Sequence, residues 1–360
     1  MRLSDREWKP YRLSMLGKVK SGRDIYALER VDGDIPYITS GSQNNGIGYF
    51  VANQNDTYDK GYIAFNRNGA VGLAFYHPYW SVMGNDCRKI HLDEADGNQY
   101  VGLFVATSIS MQNKSFSYSR KLGTGRANKL QIMLPSTEDG EPDYEFMEMY
   151  IRNMMEKKLD QYKLYLDDRL TEIGNGGVLY QSDVEWREFA LSSLFDFERG
   201  VEKNMSILKE GYIPLISAKN TGNGVKAFVM NPIKKYVGGN VITLNNDGDG
   251  GAGLAYYQPM DFALDTHVTA LYPKGVLSEP TLLFISSCLS KQHSVFGHGR
   301  SISLKRANRL KICLPITEAG EPNYDYMEQY GRQLMDRKLN QYKSYLKKRL
   351  LELGYDGEIE

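Results

Sequence analysis

The stretch RANKLQIMLPSTEDGEPDYEFMEMY, Arg126–Tyr150, decides how this chain is read, because it returns as RANRLKICLPITEAGEPNYDYMEQY at Arg306–Tyr330. The likeness runs on through KLDQYKLYLDDRL, ending at Leu170, and KLNQYKSYLKKRL, ending at Leu350. Between 126–170 and 306–350 there are 27 identities in 45 positions, always at an offset of 180. Repeats on this scale are sought first because they set the architecture. The chain is a duplication.

Working outward, the repeat weakens but persists. Trp8-Lys-Pro-Tyr-Arg-Leu13 matches Trp186-Arg-Glu-Phe-Ala-Leu191, and IPYITSGSQNNGI from Ile35 matches IPLISAKNTGNGV from Ile213. GLAFYHP from Gly72 matches GLAYYQP from Gly253. Each half is thus a diverged globular part followed by a closely kept tail, with GNGGV at Gly174–Val178 as the linker between halves. The globular parts read as α+β: YIAF, GLAFYHP, VITL and GLAYYQP are aromatic and β-branched runs bounded by turn formers. A helix is expected from about Gln99 to Gln112.

The tails read as long helices. Pro142 and Pro322 stand where a first turn begins. Apolar residues then recur in steps of three and four at Met147, Ile151, Met155, Leu159, Tyr162, Leu166, Leu170 and Ile173, matched by Met327, Met335, Leu339, Tyr342, Leu346, Leu350 and Leu353. Gly174 and Gly354 fit C-caps. About 32 residues at 1.5 Å each give a rod of roughly 48 Å. A helix with one apolar stripe needs a partner. That partner is either the other copy, in a coiled-coil-like pair, or the helix's own globular part.

At 360 residues the length suits two domains or a little more. Hydrophobic residues at 41% and charged residues at 24% exclude a disordered chain. There is no apolar run of 18 residues and no apolar core of a signal peptide in MRLSDREWKPYRLS, so a cytoplasmic protein is expected. Cys87, Cys288 and Cys313 lie too far apart for a zinc site or a disulfide framework. The net charge of zero hides a segregation. Residues 1–135 carry 17 basic and 12 acidic side chains (net +5) and residues 176–315 carry 15 and 12 (net +3). The tails carry 5 and 11 over 136–175 (net −6) and 7 and 9 over 316–360 (net −2). Basic lobes suit phosphate contacts, although charges this small are also ordinary.

Catalytic patterns fail on inspection. The glycines of Gly248-Asp-Gly250-Gly-Ala-Gly253 follow a strand, but a strand-like segment comes next where a nucleotide fingerprint needs a helix. A hairpin turn is expected there. Asn245-Asn-Asp247 begins like a calcium loop, yet the twelfth position is Tyr256, not Glu. The five histidines form no metal-spaced pair, and the Asn-Pro-Pro motif of amino-methyltransferases is absent.

The layout resembles the specificity subunit of type I and type IIB restriction–modification systems. LPSTEDGEPDYEFMEMYI at Leu134–Ile151 and LPITEAGEPNYDYMEQY at Leu314–Tyr330 carry the likeness, nearer to the BcgI-like branch, and IPLISAKNTGNGV is typical of such recognition domains. The resemblance implies two target-recognition domains at 1–138 and 176–318, and spacer helices at 139–175 and 319–360 that pair as an antiparallel coiled coil. It implies a non-catalytic chain that reads a bipartite double-stranded DNA target. The partners would be DNA adenine methyltransferase subunits, and in some systems a restriction subunit, with no membrane. Cofactors would be none in this chain, with S-adenosylmethionine and Mg²⁺ in the partner subunits.

Base edges are read by Arg, Lys, Asn and Gln. The candidates are Gln43, Asn44, Asn45, Asn66, Arg67, Asn68, Arg120 and Lys121 in the first lobe. In the second they are Lys219, Asn220, Asn245, Asn246, His298 and Arg300. Asn-Gly clusters are equally turn formers, so each loop serves either purpose. Arg67 and Arg300 stand out because turns do not need arginine. Arg126 and Arg306 are common to both lobes and cannot discriminate half-sites. They suit phosphate contact, partner contact or lobe–helix packing. Two other classes stay open: a scaffold or decoy that binds the methyltransferase without DNA, and an enzyme using His298 or Asp247.

Overall fold

The computed structural model describes residues 1–117, 119–174, 184–204, 207–248, 251–297 and 300–352. His298, positions 175–178 of the linker and the expected helix end at Leu353 and Gly354 lie outside the described residues. The chain divides into two compact units, Met1–Gln161 and Tyr162–Glu360.

The first unit runs β1 (Glu7–Arg12), α1 (Leu13–Leu16), β2 (Val19–Ser21), β3 (Asp32–Ile38), β4 (Ile47–Val51), β5 (Tyr62–Asn66), β6 (Ala74–His77), β7 (Val82–Met83), β8 (Cys87–Ile90), α2 (Gln99–Ser110), α3 (Thr124–Ala127), β9 (Gln131–Ser136) and the start of α4 (Tyr144–Ile173). Three small sheets form, in the orders β2-β8-β5-β6, β4-β3-β7 and β1-β9. Their sequences explain their places. All five residues of β5 are buried, as a central strand covered on both faces requires. In β9, Ile132 and Leu134 point inward while Gln131 and Met133 are exposed. Pro10 is tolerated because β1 has β9 as its sole sheet neighbour. Helix α2 starts where Asn98 accepts from the amides of Tyr100 and Val101, and it buries Val101, Val105 and Ile109.

The second unit repeats this order: β10 (Trp186–Ala190), α5 (Leu191–Leu194), β11 (Phe195–Arg199), β12 (Glu210–Ile216), β13 (Val225–Val229), β14 (Val241–Asn245), β15 (Ala255–Gln258), β16 (Ala263–Leu264), β17 (Val268–Pro273), α6 (Glu279–Ser290), α7 (Leu304–Ala307), β18 (Lys311–Pro315) and α8 (Tyr324–Glu352). The sheet orders, β11-β17-β14-β15, β13-β12-β16 and β10-β18, are those of the first unit. In both, the three-stranded sheet mixes an antiparallel pair with a parallel one. A core of the second unit joins Leu191, Phe195, Ile242, Ile285, Ile312 and Met327. Each such side chain contributes about 1.5–3 kcal/mol on burial.

The repeated segment after β9 and β18 is a turn and a cap. The amide of Thr137 donates to the carbonyl of Glu141 at 2.9 Å, and that of Thr317 to Glu321 at 2.8 Å. Gly140 and Gly320 take the left-handed backbone of the turn, at φ 87° and 79°. The helices begin two residues later than their prolines suggest. Asp143 and Asn323 are the N-caps, accepting from the amides of Phe146 (2.9 Å) and Tyr326 (3.0 Å). Pro142 and Pro322 instead bridge back to Ser136 and Ile316, because their fixed φ suits the turn's extended exit. Gly174, at φ 66°, donates to Leu170 and caps α4.

The second unit contains the last turns of α4, from Tyr162. There Tyr162 and Tyr342 meet edge to face at 6.0 Å. Arg332 Nη1 donates to the carbonyls of Ile173 (3.1 Å) and Glu172 (3.4 Å), which the end of a helix leaves unpaired. Arg169 pairs with Glu279 at 2.9 Å. Among the described residues no helix is long and apolar enough to cross a membrane.

Candidate nucleic-acid interface

In each unit three connections gather at one end of the four-stranded sheet. In the first they are residues 39–46, 66–73, and 113–117 with 119–124. The side-chain amide of Asn66 donates to the carbonyl of Gly41 (3.0 Å), Ala70 N to Ser40 O (3.3 Å) and Leu122 N to Arg67 O (3.2 Å). In the second unit, over 217–224, 245–248 with 251–254, and 293–297 with 300–304, the same ties recur. Asn245 Nδ2 donates to the carbonyls of Lys219 (2.9 Å) and Gly251 (3.1 Å), and Ile302 N to Asn246 O (2.6 Å).

Side chains common to both units hold the loops rather than reach outward. Asn45 and Asn223 share a left-handed backbone, at φ 55° and 53°. Their amides donate to the carbonyls of Tyr76 (3.2 Å) and Tyr257 (2.9 Å). Arg126 and Arg306 donate to the carbonyls of Lys121 (2.7 Å) and Ser301 (2.6 Å), so the shared arginine clamps the third loop. Asn66, Asn245 and Asn246, expected among the base-reading side chains, are 2%, 0% and 1% exposed. Asn246 Oδ1 accepts from Thr269, and Asn66 and Asn245 carry the loop ties above. The amide donors of Asn66 and Asn245 are spent on loop carbonyls, and the Asn246 Nδ2 is buried without a partner among the described residues, so these three expected readers lie inside the loops rather than at their surface. The sequence could not separate the two roles, because Asn serves both turns and adenine.

The side chains that differ between units lie outward. Gln43, Asn44, Arg120, Asn220 and Arg300 are exposed, and Arg67, Asn68, Lys121 and Lys219 are half-buried. Asn44 holds a left-handed φ of 51° where the second unit has Gly222, a conformation Asn tolerates. Lys219 Nζ donates to the carbonyl of Val225. Asn68 Oδ1 is buried with no partner among the described residues. His298 is outside them. Arg67 Nη1 sits 3.6 Å from Asp86 Oδ1. Beneath it burial, reinforced by the Arg67 charge, pushes the Arg88 pKa down. Asp86 and His267, in the turns before β8 and β17, join these clusters and were not legible in the sequence: each stands about 20 residues from the loop it joins. The glycines at 248 and 253 belong to a hairpin, since β14 pairs antiparallel with β15. Among the described residues no group of three His, Cys, Asp or Glu could hold a metal ion.

Two lobes of one topology, each presenting a loop cluster built on common supports with different tips, define a duplicated two-lobed protein. The chain belongs to the family of the type I restriction modification DNA specificity domain, whose model matches residues 5–163 and again 183–343. Over 155 residues it is 34% identical to the type II restriction enzyme BgcI specificity subunit S.BcgI of Heyndrickxia coagulans. That match covers 43% of this chain and 46% of the relative, so it spans about half the relative's length. The fold is that of the crystal structure of a type-I restriction-modification system S subunit from M. genitalium, with a TM-score of 0.51 at 16% identity, covering 98% of this chain and 96% of that one.

Proposed function

We propose that this chain is the address-reading, non-catalytic subunit of a restriction–modification complex acting in the cytoplasm. Each loop cluster reads one half of a bipartite double-stranded DNA target. The carrying observation is the division within the clusters: common side chains (Asn45/Asn223, Asn66/Asn245, Arg126/Arg306) are spent on loop carbonyls, while outward tips differ. Two readers on one scaffold need that division, because discrimination resides in what differs. The lobes' net charges of +5 and +3 suit phosphate contact, which positions without reading.

The long helices set the spacing. The contacts Tyr162–Tyr342 and Ile173–Arg332 run in opposite chain senses, which supports antiparallel pairing. At 30 residues, α4 is about 45 Å long, or about 13 base pairs at 3.4 Å each. Adenine methylation, with S-adenosylmethionine, and cleavage, with Mg²⁺, reside in partner subunits; this chain holds no cofactor. An apolar groove of about 540 Å³ lined by Trp186, Phe284, Tyr330 and Leu334 supports docking of a methyltransferase subunit on the second half.

The test maps N6-methyladenine across a host genome with the cognate methyltransferase, with and without this chain. A split motif that vanishes with the chain is expected. Replacing residues 176–315 by the corresponding lobe of a relative should alter one half of it and leave the other. An unchanged methylome beside an active methyltransferase would overturn the reading in favour of a decoy that binds the enzyme without DNA.

A further inference from the structure

At one corresponding place the two units carry an acid–base pair with its sign reversed. In the first, Arg67 Nη1 lies 3.6 Å from Asp86 Oδ1. In the second, His267 Nδ1 lies 2.8 Å from Asp247 Oδ1. The backbone fixes the correspondence. Arg67 N donates to Asp86 O, and Asn246 N to His267 O, both at 2.8 Å. Leu122 N closes on Arg67 O just as Ile302 N closes on Asn246 O. Asp86 and His267 therefore share the turn before the third strand of the sheet. Arg67-Asn68 and Asn246-Asp247 share the loop after its central strand. The basic side chain stands on the loop in one unit and on the turn in the other.

The fold does not ask for this pair. The same sheet order forms with either sign. Partly exposed ion pairs add little stability, and these side chains are 30% and 51% exposed in the first unit and 57% and 34% in the second. What a carboxylate does supply is direction. It fixes the plane of a guanidinium fork, or engages one imidazole nitrogen and leaves the other for a ligand. His267 Nε2 makes no hydrogen bond among the described residues.

We infer that these pairs are the discriminating contacts of the two half-sites. Arg67, positioned by Asp86, takes the N7 and O6 of a guanine in one half. His267, whose Nδ1–H is held by Asp247, accepts at Nε2 from the N4 amino group of a cytosine in the other. The inference rests on the DNA-reading function proposed above. It goes further by assigning base, residue and positioning carboxylate in each lobe. A fork that satisfies two acceptors discriminates more strongly than a single imidazole acceptor.

The experiment uses the full chain with its methyltransferase and reads the methylated motif base by base across a genome. Arg67→Ala should relax one G·C pair of one half-site, with discrimination falling about 5- to 150-fold, while the other half stays sharp. Asp86→Asn should relax the same base pair, and Asp86→Glu should restore it, which a merely structural role would not do. His267→Ala and Asp247→Asn should relax one G·C pair of the other half, by about 5-fold. If Arg67→Ala abolishes methylation, Arg67→Lys decides: it keeps the charge and loses the fork, so the same base pair should relax. A motif unaltered by these changes, or a uniform loss at every site, overturns the inference while the address function stands. If the unaltered chain imposes no motif at all, the underlying reading fails instead.

Discussion

A buried imidazole at the end of β6 gives the first unit a pH dependence that the second lacks. His77 is 0% exposed, its Nδ1 lies 3.1 Å from the Tyr79 hydroxyl, and burial pushes its pKa down from 6.5 to about 3. The folded unit holds the imidazole neutral, whereas the unfolded chain takes up a proton as pH falls below 6.5. Stability from this group is therefore full above 6.5 and is lost progressively as pH descends towards about 3. Asp59 adds a loss at lower pH: hydrogen bonds from Lys89 and His91 outweigh burial and hold its pKa below the ordinary range. The register puts Gln258, which does not titrate, at the place of His77. His77→Gln should flatten the fall in urea midpoint between pH 6.5 and 4 (about 4, from the ordinary carboxylate range). An unchanged slope would assign the dependence to other groups. At this scale the sequence could not tell Asn44 from Asn66. Both are asparagines in turn-forming stretches; only burial separates an exposed tip from a support.

Helix α8 shows how one residue changes an element's packing. A Cβ at Gly331 would stand 2.6 Å from the carbonyl oxygen of Pro280 and 2.7 Å from its Cβ. The glycine thus lets α6 and α8 approach closely. At the matching place α4 has Ile151, and the Arg152 guanidinium lies over the Tyr100 ring at 4.0 Å instead. Gly331→Ala improves helix propensity by about 1 kcal/mol, yet forces backbone apart at an overpacking cost of about 1–3 kcal/mol. A net loss of up to about 2 kcal/mol is expected by denaturant unfolding, whereas exposed Gln329→Ala should stay within about 0.5 kcal/mol. A gain in stability from Gly331→Ala would refute the close-packing account. The stripe of three- and four-residue steps revealed both long helices in the sequence. Their starts were misplaced because a proline before a helix serves equally as its first residue or as the exit of a turn. The hydrogen bonds of Asp143 and Asn323 decide between these.

At the scale of the molecule the repeat predicts function by symmetry: one reader per half and a helix after each. If the helices set the distance between half-sites, lengthening both should widen the gap without touching the readers. Seven residues that continue the apolar stripe, inserted after Lys158 in α4 and after Lys338 in α8, add about 10.5 Å, or about 3 base pairs. The methylated motif should keep both half-sites and gain about 3 unread base pairs. An unchanged gap would show that the helices do not measure it. The sequence by itself determined the duplication, the α+β lobes, the long helices and the family, because these rest on periodicity and on motifs contiguous in the chain. Only the tertiary structure decided which polar side chains are tips and which are latches, and that Asp86 joins Arg67 and His267 joins Asp247. Those facts depend on strands β8 and β17 bringing distant residues beside the loops, and pairing across a sheet leaves no spacing rule in the sequence.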